Sequence, residues 1–201
     1  MDQASLDDGW RQIRAGVSLV AWSKLATFDS SSLAFIAADG AKFESAGGHP
    51  KVHKEFGRLI CWITFSVGAE YLVKGVCLLR GSSLGSAANV VRFPSSWDEN
   101  LQNWIQLVNS DHPSVKDKET SLGTLGAIKV DTVMNPGPER DLVSASIKLL
   151  ASTIRNRDAH RYTQNVRAFH FPAVEKLFVP SLNALLQLLA QDELRSHLKS
   201  V

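Results

Sequence analysis

Arg155, Asn156, Arg157, Asp158, Ala159 and His160, followed at once by Arg161 and Tyr162, bring guanidinium, amide, imidazole and phenol groups into one short run. Leu149, Leu150 and Ala151 lie directly upstream. An apolar helix face that runs into such a set ends in groups suited to gripping and cleaving a phosphodiester. Cleaving RNA without a metal needs a base for the 2′-hydroxyl proton, an acid for the leaving 5′-oxygen and a cation for the dianionic phosphorane. Imidazole suits the proton transfers near neutrality, and guanidinium, always charged and bidentate, suits the phosphorane. His160 and Arg155 are the candidates for those two roles.

Helix geometry limits how they can cooperate. Five residues at about 100° each carry the chain roughly 140° past a full turn, so in an unbroken helix Arg155 and His160 point apart. Either the helix ends near Arg157 and Asp158, with Asp158 bonding local backbone N–H groups, or the two side chains meet across a two-fold dimer. A symmetric dimer would supply two histidines and two copies of Arg155 to one groove. The plainer alternative has Arg155 capping helix carbonyls or pairing with Asp158, and His160 on the surface. Arg157, Arg161 and Arg167 suit holding substrate phosphate rather than doing chemistry, with solvent exposure as the competing reading.

Composition bounds the rest. With 201 residues, 44% of them hydrophobic, the chain has enough apolar material for one substantial core, and a single domain over 1–201 is expected. A net charge of +2 gives no strong global field, so anion binding has to come from a local patch. Residues 155–170 provide one, with four arginines and two histidines opposed by Asp158 alone. The two cysteines, Cys61 and Cys77, are too few for a disulfide framework and sit in an apolar helical pattern, as small hydrophobes do in a reducing compartment. The first eight residues are polar and acidic, unlike a secretory leader, and no stretch approaches the roughly 18 uninterrupted apolar residues of a membrane span. A cytoplasmic location is expected.

The periodicity predicts an all-α chain. Ser5, Leu6, Asp7 and Asp8 read as a helix start, and Trp10, Ile13, Val17, Val20 and Ala21 recur at helical spacing to about Phe28. Residues 29–50 read as loops around a short apolar piece, 33–38. Residues 52–80 form the longest periodic segment, apolar nearly all round and therefore the expected central buried helix, ended by Gly81. A short extended piece is expected before Pro94, and a short helix capped near Ser95 carries Leu101, Trp104, Ile105 and Val108. Residues 122–134 are ambiguous between helix and strand. After the break at Asn135, Pro136, Gly137 and Pro138, a helix lined by Leu142, Ala145, Leu149, Leu150 and Ile154 is expected. A last helix starts near Pro172, with Pro180 as a kink.

Arg155 through His160 resembles the Arg-x4-His signature of the HEPN family (higher eukaryotes and prokaryotes nucleotide-binding domains), in which a polar residue often follows the arginine, as Asn156 does. His160, Arg161 and Tyr162 resemble the His-x-Tyr ending of HEPN toxins paired with nucleotidyltransferase antitoxins. Upstream, Glu70 and Lys74, within Phe65 to Gly75, resemble the acidic residue and the lysine one turn on in the family's early helix. The resemblance covers residues near 52–80 and 139–190, somewhat over half the chain. It implies a HEPN-like helical bundle with an extra N-terminal helical region, a homodimer formed through the motif helices, and a metal-independent endoribonuclease. Arg155 and His160 are then catalytic, Asn156 orients or binds phosphate, and RNA is the substrate. In the toxin branch, an antitoxin or nucleotidyltransferase is the partner and modifies the tyrosine that Tyr162 matches; a partly buried aromatic beside the turn is the alternative.

Glu70 and Lys74 stand four apart in the favourable order, which predicts a helix-surface ion pair. Should the buried helix carry them to the groove, Glu70 would orient His160 or Arg155. Other motifs fail. Gly81 to Ser86 lacks the lysine of a P-loop, His53, Cys61 and Cys77 lack zinc spacing, no serine sits in a Gly-x-Ser-x-Gly elbow, and His112 reads as a loop residue. No metal and no cofactor is expected. The expected activity is RNA cleavage by 2′-hydroxyl attack, leaving a 2′,3′-cyclic phosphate, in a toxin–antitoxin or phage-defence setting. The rivals are a non-catalytic HEPN-like RNA- or nucleotide-binding module and a plain protein-interaction module.

Overall fold

Trp10, Ile13, Gly16, Val17 and Val20 fall on one side of helix α1, Gln3–Trp22, and are buried there. The computed structural model describes residues 3–40, 54–82, 130–151 and 171–199. These fall in one compact unit. α1 stops six residues short of the expected Phe28, and the reason is local. The Ser23 hydroxyl turns back to the Val20 carbonyl and accepts the Leu25 N–H, and Lys24 takes a left-handed φ of 62°. These bonds divert the backbone from the helical ladder.

The chain then forms a hairpin where the sequence suggests a helix end and loops. β1, Ala26–Asp29, pairs antiparallel with β2, Ala34–Ala37, in the register Thr27 to Ile36 and Phe28 to Phe35. Thr27, Phe28, Phe35 and Ile36 are β-branched or aromatic, and so favour strand over helix. Phe28 meets Phe35 edge-on at 5.2 Å on the inner face, whereas Ile36 is exposed outside. The turn is organised by Asp29, whose carboxylate accepts the hydroxyls of Ser32 at 2.6 Å and Ser31 at 2.7 Å. The outer edge of β2 is covered, because the Asn183 amide accepts the Phe35 N–H at 2.7 Å and donates to its carbonyl at 3.0 Å. Among the described residues the fold is therefore mostly helical, with a small two-stranded sheet that the periodicity does not announce.

The central helix is where periodicity places it. α2, Lys54–Leu79, is apolar on most sides, with Phe65, Leu72, Val73 and Val76 fully buried. Its Leu59–Leu79 portion is long and apolar enough to cross a membrane by composition, but it lies mostly buried inside the fold. Gly81, at φ 83°, ends it: Ser82 N–H bonds the Cys77 carbonyl at 2.8 Å and Gly81 N–H bonds that of Leu78 at 2.9 Å. That pair of bonds is a Schellman cap.

α1 runs antiparallel along α2 at backbone distance. A Cβ placed on Gly16 would lie 2.9 Å from the Gly68 carbonyl oxygen and 2.9 Å from the Leu72 nitrogen. On Gly68 it would lie 2.8 Å from the Val20 nitrogen, and on Gly75 2.9 Å from the Gly9 carbonyl oxygen. Among the described residues, α1 is thus the main packing partner of the core helix.

A single helical turn, α3, Val130–Val133, precedes α4, Pro138–Leu149. Pro138 in the first turn needs no N–H partner, Glu139 and Asp141 face the positive end of the dipole, and Lys148 the negative end. The buried side of α4 is Val143, Ser146, Ile147 and Leu150; of the expected stripe Leu150 is buried, whereas Leu142 is half-buried and Ala145 and Leu149 are exposed. Two apolar stripes lie side by side on this helix, and tertiary packing selects between them. Downstream, Val174–Phe178 forms a π-helical turn, with the Val179 N–H bonded to the Val174 carbonyl. α5, Val179–Gln187, follows with Pro180 in its first turn, so the expected kink takes the form of a widened turn just before the proline.

The chain does not continue as one helix to its end. The Gln191 side chain reaches back to the carbonyls of Leu186 and Leu189, and α6, Gln191–Leu198, begins there. α6 docks on α1 through the His197 ring, stacked 4.2 Å from that of Trp10, with Arg14 Nη1 3.2 Å from His197 Nδ1.

Two expectations follow. Gly68→Ala gains about 1 kcal/mol of helix propensity but forces two backbones apart, and overpacking of this kind costs about 1–3 kcal/mol, so thermal unfolding should show a lowered Tm. An unchanged or raised Tm contradicts the seam. Asp29 is held well below its ordinary value of 3.8, at about 2, chiefly by the Ser32 hydroxyl and then by Ser31. A depressed carboxyl adds stability that is complete above the ordinary value and is lost as pH falls toward the folded one. NMR titration of Asp29 should therefore give a midpoint near 2, and Ser32→Ala should raise it.

Candidate functional site

Of the residues singled out for chemistry, Glu70 and Lys74 are among the described ones. Arg155, Asn156, Arg157, His160, Arg161, Tyr162 and Arg167 lie outside them. The described chain reaches Ala151, four residues before Arg155, and it is firmly anchored there: Leu150 and Ala151 are both buried. They continue α4 as a widened turn.

Glu70 and Lys74 make the ion pair that their spacing predicts, Nζ to Oε1 at 3.1 Å. Its setting differs from the expectation of a surface pair. Glu70 is 6% exposed and Lys74 7%, inside the fold rather than on a solvated helix face. The glycine seam explains where they sit. Gly68 and Gly75 turn one side of α2 onto α1, and at about 100° per residue positions 66, 70, 74 and 77 fall on the opposite side. Ser66, Glu70 and Lys74 therefore form a buried polar stripe, each one helical turn from the next, beside Cys77. Trp62 and Phe65 occupy the flank between the two sides and meet Phe178 at 6.0 and 5.8 Å.

Ser66 is a further member, to which neither the motif nor the Glu70–Lys74 spacing points. It is 1% exposed, and its hydroxyl has no hydrogen-bond partner among the described residues. The available signal was its place four residues before Glu70 in an otherwise apolar run. Both cysteines are buried, and burial pushes the Cys61 thiol up, as suits an inert core side chain. Among the described residues, no group of three or more His, Cys, Asp and Glu side chains converges to hold a metal ion.

The energetics of the pair are those of charges removed from water. At 3.1 Å the attraction is strong in a medium of low dielectric, but it roughly offsets the desolvation of both groups. The pair adds little net stability over an apolar pair of equal volume, and losing one partner is costly.

The chain matches no family model, no curated protein and no solved structure. Assignment of function therefore rests on the residues and their placement.

Glu70→Gln should destabilise the fold by about 3–5 kcal/mol, because it removes the carboxylate charge that lies 3.1 Å from the buried Lys74 ammonium. Replacing both with methionine should recover a large part of that loss. Chemical denaturation of the two variants is the check, and equal stability of Glu70→Gln and the parent protein would contradict the buried pairing.

Proposed function

We propose that the chain is a HEPN-like metal-independent endoribonuclease acting as a homodimer. In this reading the 2′-hydroxyl attacks the adjacent phosphate and the 5′-oxygen leaves, giving a 2′,3′-cyclic phosphate. His160 takes and returns the protons, and Arg155 stabilises the phosphorane. Asn156 orients or binds the phosphate, and Arg157, Arg161 and Arg167 hold the flanking backbone. Two protomers pool these groups in one groove, because an unbroken helix would turn Arg155 and His160 apart.

The observation that carries the reading beyond the hexapeptide is the burial of Glu70 and Lys74 as a 3.1 Å pair in the core helix. These are the two residues that the upstream resemblance picks out. A buried ion pair is a weak stabiliser, so its presence in the central helix is better accounted for by what it positions. In this reading it positions the guanidinium and imidazole groups of the motif. A toxin or phage-defence effector is the setting we infer, with an antitoxin or nucleotidyltransferase as the partner that restrains it and Tyr162 as the residue such a partner would modify.

Purified protein incubated with RNA in excess chelator should yield fragments ending in 2′,3′-cyclic phosphate. Arg155→Ala and His160→Ala should each abolish cleavage while the dimer persists. Full activity in either variant rules the mechanism out. Salt-sensitive binding without turnover points instead to a non-catalytic RNA-binding module, and neither binding nor cleavage to an interaction protein. The Glu70→Met, Lys74→Met double variant separates positioning from stability. It should fold yet cleave at least tenfold more slowly, and undiminished cleavage would assign the pair to structure alone.

A further inference from the structure

We draw no further inference here: the strongest candidate, the buried side-chain stripe of Ser66, Glu70 and Lys74 on the side of α2 opposite α1, belongs to the site already described.

Discussion

Close contact between the backbones of α1 and α2 is the constraint from which the rest of the arrangement follows. Gly9 and Gly16 on one helix meet Gly75 and Gly68 on the other, so carbonyl and amide groups approach where side chains would otherwise keep two helices apart. The contact fixes the rotation of α2 about its own axis. One side belongs to α1, a flank carries Trp62 and Phe65 against Phe178, and the remaining side carries Ser66, Glu70 and Lys74. Rotating α2 to relieve the seam would move the aromatic cluster and the ion pair together. The placement of the charges on the side of α2 away from α1 is thus a consequence of where the glycines are.

That coupling gives the polar stripe its meaning. Two opposite charges inside a core are tolerated rather than rewarded, because attraction and desolvation nearly cancel. The same pair on a solvated surface would be an ordinary few tenths of a kcal/mol. Held rigidly in the central helix, it becomes a fixed electrostatic feature, of the kind that can orient a guanidinium or an imidazole without reorganisation during a reaction. The second fixed point is the end of α4, where buried Leu150 and Ala151 anchor the chain just upstream of Arg155.

The sequence makes the long elements legible and the short ones less so. Residues 54–79 stand out because apolar side chains recur on nearly every face, and Gly81 marks their end. The hairpin is hidden because Ala26, Thr27 and Phe28 extend the apolar pattern of α1, and the break depends on Ser23 and Lys24, whose local bonds leave no period. On α4 two adjacent apolar stripes compete, and Val143 and Ile147 take the core together with the expected Leu150, in place of Leu142, Ala145 and Leu149. The Glu70–Lys74 pair is visible as a spacing, but its burial is not, because a helical period shows which residues share a side and not what packs over that side. The glycines themselves sit seven apart on each helix, a pattern that lowers helix propensity and makes sense only once both helices are seen together.

The functional account stands on two protomers sharing one catalytic groove. The most direct measurement is the cleavage rate per protomer across a dilution series, with sedimentation velocity reporting the dimer fraction at each concentration. Shared chemistry predicts that specific activity follows the dimer fraction and vanishes as the monomer takes over. A monomer that cleaves RNA at the full rate would contradict it.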